Sequence, residues 1–154
     1  MIDKPMVVAC PEQLMACIHL TVPRSEIRAV MGPGLQEVKA ALKAQGISAS
    51  GPWFTHHLKM DPKVFDFEIC MPVGTAVSPV GRVKPGRLPA RKVARTVYHG
   101  GYEGLGDAWG EFSAWVKSGG HKPAPDLWEV YASGPEASAD PSAWRTELNQ
   151  PLLD

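Results

Sequence analysis

Charge of one sign is missing from this sequence. Lys plus Arg and Asp plus Glu each number 16 in 154 residues, so the formal net charge is zero. A protein that holds nucleic acid by neutralising phosphates ordinarily carries a basic excess, and there is none here in bulk. The densest basic stretch holds Arg82, Lys84, Arg87, Arg91, Lys92 and Arg95, and is broken by Pro85, Gly86 and Pro89. That argues against a recognition helix and for a solvated connection. Long apolar runs are also absent: nothing approaches the roughly 18 residues a membrane helix needs. The start, Met1-Ile2-Asp3-Lys4-Pro5, lacks the basic flank and apolar core of a signal peptide. Cysteine is scarce. Cys10, Cys17 and Cys70 have no metal-ligand spacing, and their odd count argues against a disulfide framework. A reducing cytoplasm is the default compartment, and packing as small apolar residues their expected role.

Catalytic signatures are missing too. There is no G-x-S-x-G, C-x-x-C or H-E-x-x-H, and the glycine-dense Gly100–Gly106 lacks the Lys-Ser/Thr pair of a phosphate loop. Its backbone amides could still contact a ligand. No metal and no cofactor is expected.

What is present is a repeat. Asp61-Pro62-Lys63-Val64-Phe65-Asp66-Phe67-Glu68-Ile69-Cys70-Met71-Pro72 and Asp140-Pro141-Ser142-Ala143-Trp144-Arg145-Thr146-Glu147-Leu148-Asn149-Gln150-Pro151 share D-P-x-x-aromatic-x-x-E-aliphatic-x-x-P without a gap, at an offset of 79. Upstream, Thr21-Val22 matches Thr96-Val97 at 75, and Leu42–Gly46 matches Val116–Gly120 at 74. The larger downstream offset puts extra residues in the loop-like Ala132–Ala139. One domain over residues 1–154 is therefore expected, with repeat 1 at 12–73, a linker at 74–90 and repeat 2 at 91–152. Either half would be marginal alone.

Each copy reads as strand, helix, hairpin. Leu14–Val22 alternates with period two, as a strand does. A helix follows with Pro33 in its first turn and Leu35, Val38 and Leu42 as its buried stripe, ending before Gly46. Trp53–Lys59 and Val64–Val73 form the hairpin. In the second copy Lys92–His99 is the strand, and Tyr102–Ser118 the helix, striped by Leu105, Ala108, Trp109, Phe112, Trp115 and Val116. Leu127–Ala132 and Trp144–Asn149 are the second hairpin. The expected fold is α+β: duplicated β-α-β-β units, an antiparallel sheet of about eight strands with two helices on one face, and a ligand cleft on the pseudo-twofold axis.

Glu129 is the leading candidate for chemistry. It stands in Leu127-Trp128-Glu129-Val130-Tyr131, otherwise aromatic or aliphatic, where alternation puts Leu127, Glu129 and Tyr131 on one face. A carboxylate among large apolar groups must be paired or solvated. If the face is open to water, Glu129 is an ordinary exposed residue. If it floors a cleft, it attracts organic cations while Tyr131, Tyr98, Tyr102 and a tryptophan stack on the ligand. Burial would also equip it for acid–base work.

Glu68 and Glu147 hold equivalent positions, which points to a shared structural role such as pairing with arginine. Depending on the offset, Thr55, His56 or His57 is the counterpart of Glu129. The two adjacent histidines face opposite sides and cannot chelate one metal together. Phe54, His56, Trp53 and Trp128 complete the candidates for a cleft wall. Trp109 and Trp115 fit the helix core, while Trp53, Trp128 and Trp144 stay open between core, cleft wall and dimer contact.

Thr96-Val97-Tyr98-His99-Gly100-Gly101-Tyr102, then Leu105 and Trp109, Trp115-Val116, Trp128-Glu129-Val130-Tyr131, Thr146-Glu147-Leu148 and Pro151-Leu152 together resemble the GyrI-like small-molecule-binding domains. These are also the effector-binding domains of AraC-type and MerR-type multidrug regulators. The resemblance spans nearly the whole chain and is tightest in the second half. It implies a cleft for cationic or planar aromatic compounds, with the acidic residue of the E-x-Y strand, here Glu129, contacting the ligand. Some stand-alone members resemble hydrolases of cyclopropane-bearing natural products that pair a glutamate with a tyrosine. Glu129 would be that glutamate, with Tyr102 or Tyr98 as the tyrosine. Other members inhibit DNA gyrase by protein contact. No residues are left for a helix-turn-helix, so direct DNA binding is not expected. The reading is a stand-alone cytoplasmic binder of hydrophobic, often cationic aromatics. A hydrolase and a gyrase-type interaction module are the alternatives, and a homodimer stays open.

Overall fold

The computed structural model describes the backbone of residues 1–154 and every side chain except that of Met60. The elements are β1 (Met6–Cys10), β2 (Gln13–Pro23), α1 (Ile27–Ala44), β3 (Phe54–Met60), β4 (Val64–Pro72), β5 (Lys84–Leu88), β6 (Arg91–His99), α2 (Leu105–Ser118), β7 (Leu127–Ser133) and β8 (Arg145–Pro151). The fold is α+β, with eight strands and two helices. The chain divides into two compact units, Pro11–Ala90 and Met1–Cys10 with Arg91–Asp154.

In Pro11–Ala90 the strands run β3-β4-β2-β5, each antiparallel to its neighbour. α1 lays Val38, Ala41 and Leu42 against Ala16, Ile18, Met71 and Val73. Burying a side chain such as Val38 or Ile18 contributes about 1.5–3 kcal/mol, and both are 0% exposed. In the other unit the order is β1-β6-β8-β7, again antiparallel. There α2 sets Ala108, Phe112 and Val116 on Ala94, Tyr98, Leu148 and Leu152.

The D-P motif that revealed the repeat has a local physical cause. Asp61 Oδ1 accepts from the backbone N–H of Lys63 (2.8 Å) and Val64 (3.3 Å), and Asp140 Oδ1 from that of Ser142 (3.0 Å). Each aspartate closes a side-chain turn, and the proline after it presets φ. The turn thus delivers the chain into β4 or, through the 3-10 turn Pro141–Ala143, into β8.

Three elements differ from the sequence expectation. β1 was not expected; its short Met6–Cys10 segment pairs with β6 of the second repeat, far along the chain. β5 forms inside the expected linker and pairs with β2. Its Lys84 and Arg87 are exposed, as expected of a solvated connection, but backbone pairing needs no apolar alternation, and edge charge suits an edge strand. α1 begins at Ile27 rather than near Pro33, so that the proline lies inside the helix. Ile27, Val30 and Met31 carry the apolar stripe back at helical spacing, but a proline ordinarily marks a first turn, so the expected start fell near Pro33. Among the described residues, no helix is long and apolar enough to cross a membrane.

Candidate functional site

Within the unit formed by Met1–Cys10 and Arg91–Asp154, β7 and β8 pair Glu129 with Leu148 and Tyr131 with Thr146. Leu148 packs in the core beneath α2, and directly opposed residues share a sheet face. Glu129 and Tyr131 therefore lie on the face that α2 covers. The helix supplies Trp109, whose Nε1–H donates to Glu129 Oε1 at 2.7 Å. The Tyr131 hydroxyl donates to Oε2 at 2.8 Å. Each carboxylate oxygen has one donor, leaving acceptor capacity unused. Among the described residues, no Lys, Arg or His stands at salt-bridge distance from Glu129. Burial pushes its carboxyl above the usual carboxylate range, and the hydrogen bonds from Tyr131 and Trp109 offset this only in part.

Tyr102 opens the 3-10 turn that leads into α2. Its ring meets Tyr131 edge-on at 5.8 Å and 76°, and Trp144 at 5.0 Å and 40°. Trp144 is anchored by its own indole N–H, which donates to Ser138 O at 2.9 Å. Burial raises the Tyr102 hydroxyl above its ordinary value, and the nearby carboxylates of Glu136 and Glu129 add to the rise. Gly134 leaves room for this ring: a Cβ there would sit 2.5 Å from the Tyr102 hydroxyl. Glu129, Tyr131, Tyr102, Trp109 and Trp144 thus form one aromatic and acidic cluster.

Of the sequence candidates, Glu129, Tyr131 and Tyr102 are brought together. Tyr98 lies in the core, 7% exposed, its hydroxyl donating to Gly101 O at 2.8 Å. A Cβ at Gly104 would come within 2.1 Å of that hydroxyl, so the turn ahead of α2 is built around Tyr98. Trp128 is buried and opposes Asn149, one residue out of phase with Glu129. Trp53 packs at the border of the α1 core. Phe54 and His56 oppose Cys70 and Glu68 on β4, on the face away from α1. His56 Nδ1 lies 3.1 Å from Glu68 Oε1. Trp109 was expected in the core and Trp144 was left open. The usable signal was chemical: a buried indole N–H needs an acceptor, and β7 carries one carboxylate.

Register identifies the counterpart of Glu129. Thr55 opposes Ile69 as Glu129 opposes Leu148, and Ile69 and Leu148 each follow a repeat glutamate. So Thr55 matches Glu129 and His57 matches Tyr131. The two histidines do face opposite sides: His57 stacks on Phe67 at 5.4 Å. Burial, then His56 and Arg24, lower His57 to about 4. Glu147 does pair with an arginine, Arg95, at 3.3 Å, whereas Glu68 takes His56 instead. Among the described residues, no group of three or more His, Cys, Asp or Glu side chains is placed to hold a metal ion.

This geometry sits on a chain that matches the GyrI-like small molecule binding domain over residues 3–152. The protein belongs to that family. The crystal structure of the EcmrR C-terminal domain is similar at 24% identity, with a TM-score of 0.86 and 98% of each chain covered. EcmrR in the cryo-EM structure of its DNA complex in EcmrR-RPo is 25% identical with a TM-score of 0.85, over 97% of this chain. This chain spans 57% of the length of that EcmrR chain. SAV2435 bound to tetraphenylphosphonium shares the fold at 11% identity, with a TM-score of 0.73 and 97% and 94% of the two chains covered. No curated protein matches the chain.

Proposed function

We propose that this GyrI-like domain binds hydrophobic, cationic, planar aromatic molecules in the cytoplasm, with Glu129 as the charge partner and Tyr131, Tyr102 and Trp144 as the stacking surface. The observation that carries this is the state of Glu129. A half-buried carboxylate with no cation beside it is penalised by its loss of water, and hydrogen bonds alone leave it above its usual range. An organic cation supplies the missing charge without the hydration shell of an inorganic one. The surrounding rings offer it quadrupole faces and apolar area. Tetraphenylphosphonium, the ligand of SAV2435, shares the charge and the aromatic surface though not the planarity: a tetrahedral positive centre sheathed in phenyl rings. Binding of this kind suits sequestering or sensing such compounds.

The test is a fluorescence titration with tetraphenylphosphonium, and with triphenylphosphine oxide as an uncharged comparison. The wild-type chain should prefer the cation, and Glu129→Gln should erase that preference, weakening cation binding about tenfold, or about 1.4 kcal/mol. Equal affinity of the wild type and Glu129→Gln for the cation would overturn the charge role. Mass spectrometry after incubation with a cyclopropane-bearing alkylator separates binding from turnover, since a binder returns it without a water adduct.

A further inference from the structure

A second site lies in the Pro11–Ala90 unit, independent of the Glu129 cluster. β2 and β4 place Cys17 directly opposite Cys70. Which kind of pair this is follows from one hydrogen bond. Val73 N donates to Leu14 O at 3.0 Å, so Leu14 and Val73 are a hydrogen-bonded pair in the same register. Pair types alternate along an antiparallel ladder. Leu14, Ala16 and Ile18 therefore take hydrogen-bonded positions, and Met15, Cys17 and His19 the closer, non-hydrogen-bonded ones. Opposed Cα atoms there stand about 4.5 Å apart, inside the roughly 4.4–6.8 Å window that a disulfide spans. Both thiols are free and buried, Cys17 at 5% and Cys70 at 0% exposure. The Cys17 S–H also points at a proton acceptor, Glu68 Oε2 at 3.5 Å, with Lys84 O at 3.7 Å. His56 lies against the other oxygen of Glu68.

We propose that Cys17 and Cys70 form a redox-active dithiol that hydrogen peroxide converts to a cross-strand disulfide. Cys17, the less buried, reacts first. Its proton passes to Glu68, its sulfur attacks the peroxide and breaks the O–O bond, and the leaving hydroxide takes that proton back from Glu68, giving a sulfenic acid and water. The Cys70 sulfur then attacks the Cys17 sulfur. The S–S bond forms as the S–O bond breaks, and the departing hydroxide leaves as a second water with the Cys70 proton. Two thiols are oxidised, one peroxide is reduced, and two waters result. The product joins β2 to β4 covalently and removes the S–H donor from Glu68. Burial raises the Cys70 thiol well above its ordinary value, in keeping with its role as the second partner rather than the first attacker.

The experiment treats the full chain with hydrogen peroxide, alkylates remaining thiols under denaturing conditions, and maps tryptic peptides by mass spectrometry. Cys10 and Cys17 share one tryptic peptide, because no Lys or Arg lies between them. The same map of Cys10→Ala therefore assigns the linkage. The expected result in both proteins is a Cys17–Cys70 linked peptide, lighter by two hydrogens and separated by dithiothreitol. In Cys70→Ala, Cys17 should instead accumulate a dimedone-reactive sulfenic acid. Full alkylation of Cys17 and Cys70 after peroxide, over-oxidation of Cys17 with Cys70 still alkylated, or a linkage that requires Cys10 would each overturn the proposal. If Cys70→Ala does not fold, the peptide maps of the wild type and Cys10→Ala decide it.

Discussion

Tyr131 donates a 2.8 Å hydrogen bond to the carboxylate two residues before it, Glu129, along one face of β7. The first repeat keeps the arrangement and changes the chemistry: His57 Nε2 lies 3.2 Å from the hydroxyl of Thr55. An acid and a phenol in one copy stand where a hydroxyl and a neutral imidazole stand in the other. The charged member of this matched pair is the one the proposed ligand needs.

Removing the donor should therefore be felt at the charge. Tyr131→Phe takes away a hydrogen bond that favours ionised Glu129, a contact worth about 1.5–3 kcal/mol when one partner is charged. The carboxyl should rise further, and affinity for tetraphenylphosphonium at neutral pH should fall roughly tenfold. The fall should shrink at alkaline pH, where the carboxylate re-forms. Fluorescence titrations across pH measure it.

Glu129 itself should act against the fold at neutral pH. Its folded-state carboxyl lies above the ordinary value, so the folded chain binds this proton more tightly than the unfolded chain. The favourable contribution is complete below the unfolded value and is lost as pH rises through the folded one. Glu129→Gln should accordingly raise the melting temperature at pH 7. The Gln carbonyl can accept from Trp109, and its amide can donate to the Tyr131 oxygen. The gain should vanish in acid, where both side chains are neutral, as calorimetry at the two pH values would show.

His57 carries the opposite sign. Its value falls from 6.5 to about 4 on folding, so its neutral ring stabilises the fold fully above 6.5. That contribution is lost as pH drops from 6.5 towards 4, and amounts to about 3 kcal/mol at most. Denaturant midpoints for the wild type should decline over this window. His57→Phe, which keeps a ring against Phe67, should flatten the decline.

Gly134 is a steric test of the aromatic cluster. Gly134→Ala would drive a methyl to 2.5 Å from the Tyr102 hydroxyl, and a tyrosine ring cannot bend away as a flexible chain would. Tyr102 should leave its contacts with Tyr131 and Trp144. Weaker dye binding and an altered near-ultraviolet circular dichroism signal are expected, with far-ultraviolet dichroism unchanged.

The fold was legible wherever local chemistry repeats. Alternation marked β2 and β7, the match to the first repeat marked β6, the stripe from Leu105 to Val116 marked α2, and the D-P turn marked both hairpins. β1 and β5 were hidden because an edge strand needs only backbone pairing, and their side chains carry no consistent pattern. The start of α1 was hidden because Pro33 lies inside the helix, where a proline ordinarily marks the first turn.

By itself, then, the sequence determined the duplication, the α+β class and Glu129 as the odd charge on an apolar strand. Those properties are written in composition and in periods of two and 3.6 residues. Only the tertiary structure decided that Trp109 reaches across from α2 to Glu129, that Tyr98 belongs to the core, that Thr55 is the counterpart of Glu129 and that Cys17 faces Cys70. Each depends on register between strands distant in sequence or on where one side chain ends. Strand register shifts side chains between faces in single-residue steps, so no local pattern in the chain spells it out.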